Sequence, residues 1–324
     1  MIIVTGGAGF IGSAIVWALN VRGKTDILVV DELANSEKWK NLAGLSFSDY
    51  MEKDDFLDAT LAGKFGKMTE AIFHLGACSS TTETDASFLV KSNFEYTKHL
   101  AKFAVREDIR FIYASSAATY GDGSQGYSDQ VADTSIFMPL NMYAMSKLMF
   151  DVWSYRNGLQ NKLVGLKYFN VFGPNEYHKG DMRSLICKGY GEIKKTSKLR
   201  LFKSYRSEYA DGEQVRDFIY IKDAVEMTLF FLDNPMQCGI FNAGSGVISS
   251  WNALGTALFD AMGLKKYIEY IEMPNALREK YQYHTLAELG KLRQAGYEKR
   301  ITPLADTVRE YVQNYLQHGL YLQT

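Results

Sequence analysis

Tyr143 and Lys147 stand four residues apart in Asn141-Met142-Tyr143-Ala144-Met145-Ser146-Lys147, a spacing that puts both side chains on one face of a helix. A free phenol titrates near ~10 and is a poor base at neutral pH. An ammonium beside it favours the phenolate and lowers that value. Such a tyrosinate can take the hydroxyl proton of a carbinol while hydride leaves the carbon. On its own the spacing is common in helices that do no chemistry. A second element gives it weight: Ser115 and Ser116 close an apolar run within Tyr113-Ala114-Ser115-Ser116-Ala117-Ala118-Thr119-Tyr120-Gly121. The carboxyl ends of strands line the ligand crevice of open α/β sheets, and a hydroxyl there can steady a developing oxyanion. Taken alone, either serine would read as a strand-end hydroxyl capping the backbone.

The third constellation lies at the N-terminus. Gly6, Gly9 and Gly12 stand in Thr5-Gly6-Gly7-Ala8-Gly9-Phe10-Ile11-Gly12, directly after a strand-like run and at the opening of a helical one. Such glycines permit a tight turn, close approach of the backbone to a pyrophosphate and close packing of helix on strand. The opening helix offers unpaired N–H groups and its positive dipole end to phosphate. Asp31 follows ~20 residues on, the distance at which a carboxylate meets the adenosine ribose hydroxyls of a dinucleotide.

These residues need a scaffold, and the periodicity supplies one. Short apolar runs at 2–5, 27–31, 71–75, 111–115 and 164–169 alternate with helical stretches such as 11–21 and 93–106, the pattern of βαβ units on a parallel sheet buried on both faces. Runs at 218–221 and 240–242 extend the strand set, while 197–217, rich in charge and tyrosine, reads as an excursion beside the site. Near the end, Thr302 is the expected N-cap and Pro303 the first residue of an amphipathic helix carrying Leu304, Val308, Val312, Tyr315 and Leu316. The fold class expected is α/β: a Rossmann-type doubly wound parallel sheet over residues 1–170, with later returns near 217–243, and a smaller α/β substrate domain over 171–324.

Composition removes several alternatives. The 324 residues are 47% apolar and balance 36 basic against 37 acidic side chains, which argues against a nucleic-acid binder. Three cysteines without C-x-x-C spacing and five scattered histidines point to no disulfide framework and no metal site. No stretch approaches the ~18 uninterrupted apolar residues of a membrane span. A signal peptide is not evident either, so a soluble, cytoplasmic protein is the expectation.

In this order, glycine fingerprint, serine strand and Tyr/Lys helix resemble the extended short-chain dehydrogenase/reductase family, which includes nucleotide-sugar epimerases and dehydratases. Tyr168-Phe169-Asn170-Val171-Phe172-Gly173-Pro174 and Arg216-Asp217-Phe218-Ile219-Tyr220 resemble its substrate-side signatures. The stretches 26–31, Gly76-Ala77-Cys78-Ser79-Ser80-Thr81-Thr82-Glu83, 113–121 and His178-Lys179-Gly180 resemble the branch of that family that epimerises ADP-glycero-manno-heptose at C6. The resemblance implies Ser116, Tyr143 and Lys147 as catalytic residues, with Lys179 as a second acid/base. For the cofactor it implies Gly6, Gly9, Phe10, Ile11, Gly12, Asp31, Glu32, Lys38, Lys53, Leu75, Gly76, Ala77, Cys78, Ser79, Asn93, Tyr143, Lys147, Val171 and Lys179. For an ADP-heptose substrate it implies Ser116, Asn170, Asp181, Lys188, Phe202, Lys203, Ser204, Arg216 and Tyr281. It further implies one NADP per subunit and a closed homo-oligomer, a pentamer, with no metal, membrane or nucleic-acid partner.

Three positions depart from the branch's pattern. Glu32 stands where an asparagine is usual and would repel a 2′-phosphate, which admits NAD, although Lys38 and Lys53 could form a clamp for it. Lys188 stands where histidine is usual, and the segment 202–216, with Tyr205, Arg206 and Tyr209, is longer than expected. Two alternatives compete with a C6 epimerase: another nucleotide-sugar epimerase or a dehydratase, and a non-catalytic dinucleotide sensor. Ala117-Ala118, where dehydratases carry an Asp-Glu pair, speaks against dehydration, and the retained Tyr/Lys pair speaks against a sensor.

Overall fold

The computed structural model describes residues 1–131, 133–278 and 281–323. Seven parallel strands form its central sheet: β1 (Ile2–Thr5), β2 (Ile27–Asp31), β3 (Asp49–Glu52), β4 (Ala71–His74), β5 (Arg110–Ser116), β6 (Leu163–Tyr168) and, after an interval, β10 (Gly239–Ala243). Their spatial order is β10-β6-β5-β4-β1-β2-β3, so the direction of winding reverses between β1 and β4, the switch point at which doubly wound sheets bind ligands. β1, β2, β4, β6 and β10 are buried along their whole length, which is why they read as unbroken apolar runs. β3 does not: its Asp-Tyr-Met-Glu is exposed or half-buried at the sheet edge, and no apolar run marks it.

The intervening β7 (Asn170–Phe172), β8 (Leu199–Phe202) and β9 (Val215–Tyr220), with β11 (Ile248–Ser250) and β12 (Ile268–Ile271), form two small sheets, β11-β9-β7 and β12-β8. Several expectations are corrected here. The run expected at 218–221 is β9, which begins at Val215 and belongs to the small sheet, whereas the run at 240–242 is β10 and rejoins the main one. The presumed excursion at 197–217 contains β8, whose parallel partner lies near residue 270. The helix expected from residue 93 starts earlier, at Ala86, capped by the Asp85 carboxylate, and passes through a wider turn at Val90–Glu95. In the last helix Pro303 itself is the cap, and the Thr302 hydroxyl donates instead to Asp223 at 3.1 Å. Among the described residues no helix is long and apolar enough to cross a membrane.

Candidate active site

A cavity of about 1010 Å³ opens along the carboxyl ends of β1, β2, β4 and β5. Its floor is the glycine turn. Gly6 holds φ +66°, and a Cβ there would sit 2.6 Å from the Gly76 nitrogen. A Cβ on Gly12 would run into the Gly6 carbonyl. The helix Phe10–Val21 starts from Gly9 without a side-chain cap or an acid in its first turn. Its first N–H groups are therefore free for an anionic oxygen. A pyrophosphate fits this cradle, and a side chain would fill it.

At the far end of the turn, Asp31 spreads its carboxylate over three donors: Ala8 N (2.9 Å), Glu32 N (2.7 Å) and Lys38 Nζ (2.6 Å). Lys53 pairs instead with Glu32 (3.1 Å) and Asp54 (3.0 Å). The two lysines thus do not form a shared clamp in this structure, and Glu32 does not take Lys38. Lys38 lines the cavity, while Glu32 and Lys53 stand outside its wall.

The wall between β4 and the helix that carries Tyr143 and Lys147 is set by a relay of hydroxyls. Gly76 N donates to Thr5 Oγ1 (3.3 Å), which meets His74 Nδ1 at 2.6 Å; His74 Nε2 meets Thr97 Oγ1 at 2.8 Å, and Thr97 donates to the Asn93 carbonyl at 2.6 Å. Because Thr97 spends its proton on Asn93, His74 carries its own on Nε2 and accepts from Thr5 on Nδ1. Burial brings this imidazole down to about 3. Asn93 itself is fully buried and outside the cavity wall: its amide embraces Cys78 N (2.8 Å) and Cys78 O (2.9 Å) and so holds the 76–79 segment in place.

Tyr143 and Lys147 lie on the helix Met142–Arg156, whose N-cap Asn141 accepts from Ala144 N at 2.8 Å. Ser116 ends β5, accepts from Ala118 N at 3.1 Å and faces the Tyr143 phenol, so it serves as a backbone cap beside that hydroxyl. Lys147 donates to the Ala114 carbonyl at 2.9 Å. Burial holds the Tyr143 phenol above its ordinary value, and Ser116 opposes that. Burial also lowers Lys147, to about 8, against the pull of Asp151.

Lys179 enters from the turn Tyr177–Met182, its ammonium 5.1 Å from the Phe10 ring. Burial lowers its proton affinity; Glu176 opposes that and Lys188 adds to it. Lys188 and Tyr281 reach the cavity, as do Asn170, Val171 and Phe202. Asp181, Lys203, Ser204 and Arg216 do not. The Asp181 carbonyl accepts from Lys188 (2.9 Å), Lys203 pairs with Glu272 (2.7 Å), and the Ser204 hydroxyl donates to the Arg206 carbonyl (3.0 Å). Arg216 is buried, donates to the carbonyls of Val215 and Gln282, and stacks 5.1 Å from the Tyr281 ring. Wall residues that sequence reasoning passed over include His178, Arg183, Arg200 and Trp251. Only His178 carried a local signal, inside the motif that supplied Lys179.

Comparison with known proteins agrees with this geometry. The profile of the NAD dependent epimerase/dehydratase family matches residues 2–244. The chain is 54% identical over 316 residues, 98% of each chain, to the ADP-L-glycero-D-manno-heptose-6-epimerase of Nitratidesulfovibrio vulgaris. It is 46% identical, over 98% of each chain, to the protein of the same name from Fusobacterium nucleatum. Among solved structures, the Helicobacter pylori ADP-L-glycero-D-manno-heptose-6-epimerase superposes with a TM-score of 0.81 at 27% identity, covering 97% of this chain and 95% of that one. A UDP-N-acetylglucosamine 4-epimerase from Methanobrevibacter ruminantium, 23% identical with a TM-score of 0.79 over 98% of both chains, shares the fold. The protein belongs to the NAD dependent epimerase/dehydratase family.

Proposed function

We propose that the protein epimerises ADP-D-glycero-D-manno-heptose at C6, giving the L-glycero isomer by way of a 6-keto intermediate. The observation that carries this reading is 54% identity along 98% of both chains to an enzyme of that name. The site supplies a chemistry to match. When bound, a nicotinamide dinucleotide would supply the hydride acceptor and donor. It would be held by the Gly6–Gly12 cradle and Asp31, with Lys38 toward a 2′-phosphate. Residues 1–170 would chiefly hold that cofactor, and 171–324 the sugar nucleotide.

Tyr143, facing Ser116, would move the proton of the C6 hydroxyl on one face. Lys179 lines the same cavity from a different element and would move it on the other. Its lowered proton affinity suits a group that must both give and take a proton. Lys188 and Arg183, both on the cavity wall, would meet the diphosphate with positive charge. A cytoplasmic homo-oligomer supplying heptose for the lipopolysaccharide core goes with this reading.

The test is incubation of purified protein with ADP-D-glycero-D-manno-heptose, followed by proton NMR of the sugar, with deuterium placed at C6. Conversion with the label retained at C6 is expected. Absence of conversion, or turnover of UDP-hexoses instead, overturns the substrate. Loss of the label to solvent overturns hydride return.

A further inference from the structure

Beneath the Tyr143/Lys147 face lies an ion pair with no place in the chemistry above. Asp151 and Lys167 meet at 2.7 Å with side chains 0% and 1% exposed. Asp151 also accepts from the Tyr113 hydroxyl (3.0 Å) and from Ser115 Oγ (2.7 Å). Lys167 donates to Thr119 Oγ1 at 2.5 Å and stands 4.9 Å from the Tyr120 ring. A pair this deep is a poor device for stability, because matched apolar side chains often serve a core as well or better. Its geometry suggests another use. Residues 143, 147 and 151 share one helix face, and that face is fastened to consecutive residues of β5. Tyr143 faces Ser116, Lys147 bonds Ala114, and Asp151 bonds both Ser115 and Tyr113. Lys167, on β6, locks the lower end of this ladder.

We propose that Asp151, held by Lys167, is the positioning residue of the catalytic helix: it sets the register between β5 and the helix, and its charge keeps Lys147 protonated. The proposal rests on the roles given above to Tyr143 and Lys147. Lys147 is faced by Asp151 and, one turn away, Tyr143 on its own helix, by Cys78 from the 76–79 segment and by His74 from β4. Of these, Asp151 favours the ammonium most strongly against burial.

Four variants test it: Asp151→Asn, Lys167→Met, the double Asp151→Asn/Lys167→Met, and Lys167→Arg. Turnover of Asp151→Asn should fall by ~10-fold or more with KM within about twofold of the parent. The alkaline limb of its pH profile should move about one unit toward acid, since an ammonium without its carboxylate loses its proton earlier. Lys167→Met, with the carboxylate left unpaired, should lower both turnover and melting temperature. The double variant removes both charges and should melt near the parent temperature, yet keep the low turnover and the shifted limb. Lys167→Arg should retain most of the turnover. A readout free of substrate is the ¹⁵N resonance of Lys147 Nζ, identified by its loss in Lys147→Met, which should titrate at lower pH in the double variant. Parental turnover and parental Nζ titration in the double variant would overturn the proposal and reduce the pair to packing. A shifted Nζ titration in a protein inactive on ADP-heptose would support the positioning role and refute the substrate instead.

Discussion

Replacing Lys38 with methionine should weaken the binding of NADP relative to that of NAD. The corner where the adenosine ribose would rest holds Asp31 and Lys38, paired at 2.6 Å with side chains 7% and 21% exposed. Asp31 keeps two backbone donors, Ala8 N and Glu32 N, so its carboxylate should stay in place when the lysine is removed. A 2′-phosphate brings about −1.5 to −2 charge, and without Lys38 it would face that carboxylate uncompensated. At ~5 Å and an effective dielectric of ~20, one unit pair is worth about 3 kcal/mol. Partial exposure and salt reduce this to about 1–2 kcal/mol. The NADP/NAD affinity ratio should therefore fall roughly 5- to 30-fold. Glu32 is 55% exposed and already paired with Lys53, so Glu32→Asn should raise the ratio only about twofold. The assay is denaturation of freshly purified protein with mass identification of the released dinucleotide, then calorimetric titration of stripped protein with each cofactor. An unchanged ratio in Lys38→Met would refute the electrostatic argument. A larger response to Glu32→Asn than to Lys38→Met would reassign the control to Glu32.

Further outcomes follow from the same geometry. Tyr143→Phe should cut turnover by ~10²–10⁴ with unchanged circular dichroism, the range for losing a general acid/base; Lys179→Met should do the same, and near-parental turnover there would leave a single-tyrosine mechanism. Gly12→Ala should abolish retention of the dinucleotide and cost about 1–3 kcal/mol in urea unfolding, because the added methyl meets the rigid Gly6 carbonyl; a variant that still retains its cofactor would refute the cradle. His74 is held near 3 against an ordinary 6.5, so the unfolded chain takes the proton first as pH falls. Its contribution is full above pH ~6.5 and lost progressively toward pH ~3, with a slope of up to ~1.4 kcal/mol per unit. A His74→Asn protein should show a flatter acid limb in chemical denaturation, and an equally steep one would refute the assignment.

What could be read from the sequence was what is written locally. The glycine turn, β5 with its serines and the Tyr143/Lys147 helix each announce themselves within a dozen residues or so, because each is one element meeting one physical demand. The main sheet was legible for the same reason: strands buried on both faces have no polar side to confuse the pattern. β3 was not, since its edge position leaves Asp49 and Glu52 exposed. The early start of the helix at Ala86 was hidden by the wider turn at Val90–Glu95, which breaks the 3.6-residue period on which the reading depended.

The far wall of the cavity failed for a deeper reason, which Arg216 shows. The resemblance assigned it to the ADP-heptose substrate, and nothing nearby in the sequence contradicts that. In the fold, the guanidinium is committed to the carbonyls of Val215 and Gln282, the latter 66 residues away, and it sits between the rings of Trp251 and Tyr281. Tyr281 in turn faces the cavity. Arg216 therefore bears on the cavity through the tyrosine it stacks on, at one remove. Lys167 is the mirror case: a lysine inside the apolar run Leu163–Tyr168 reads as a blemish in a strand, until Asp151 on the neighbouring helix meets it. In both, residue type limits what a side chain is able to do, while the partner that decides what it does arrives from a distant part of the chain. Charge in an apolar run is thus a sequence signal worth keeping, because burying it unpaired would be too costly for the fold to leave it there without a partner.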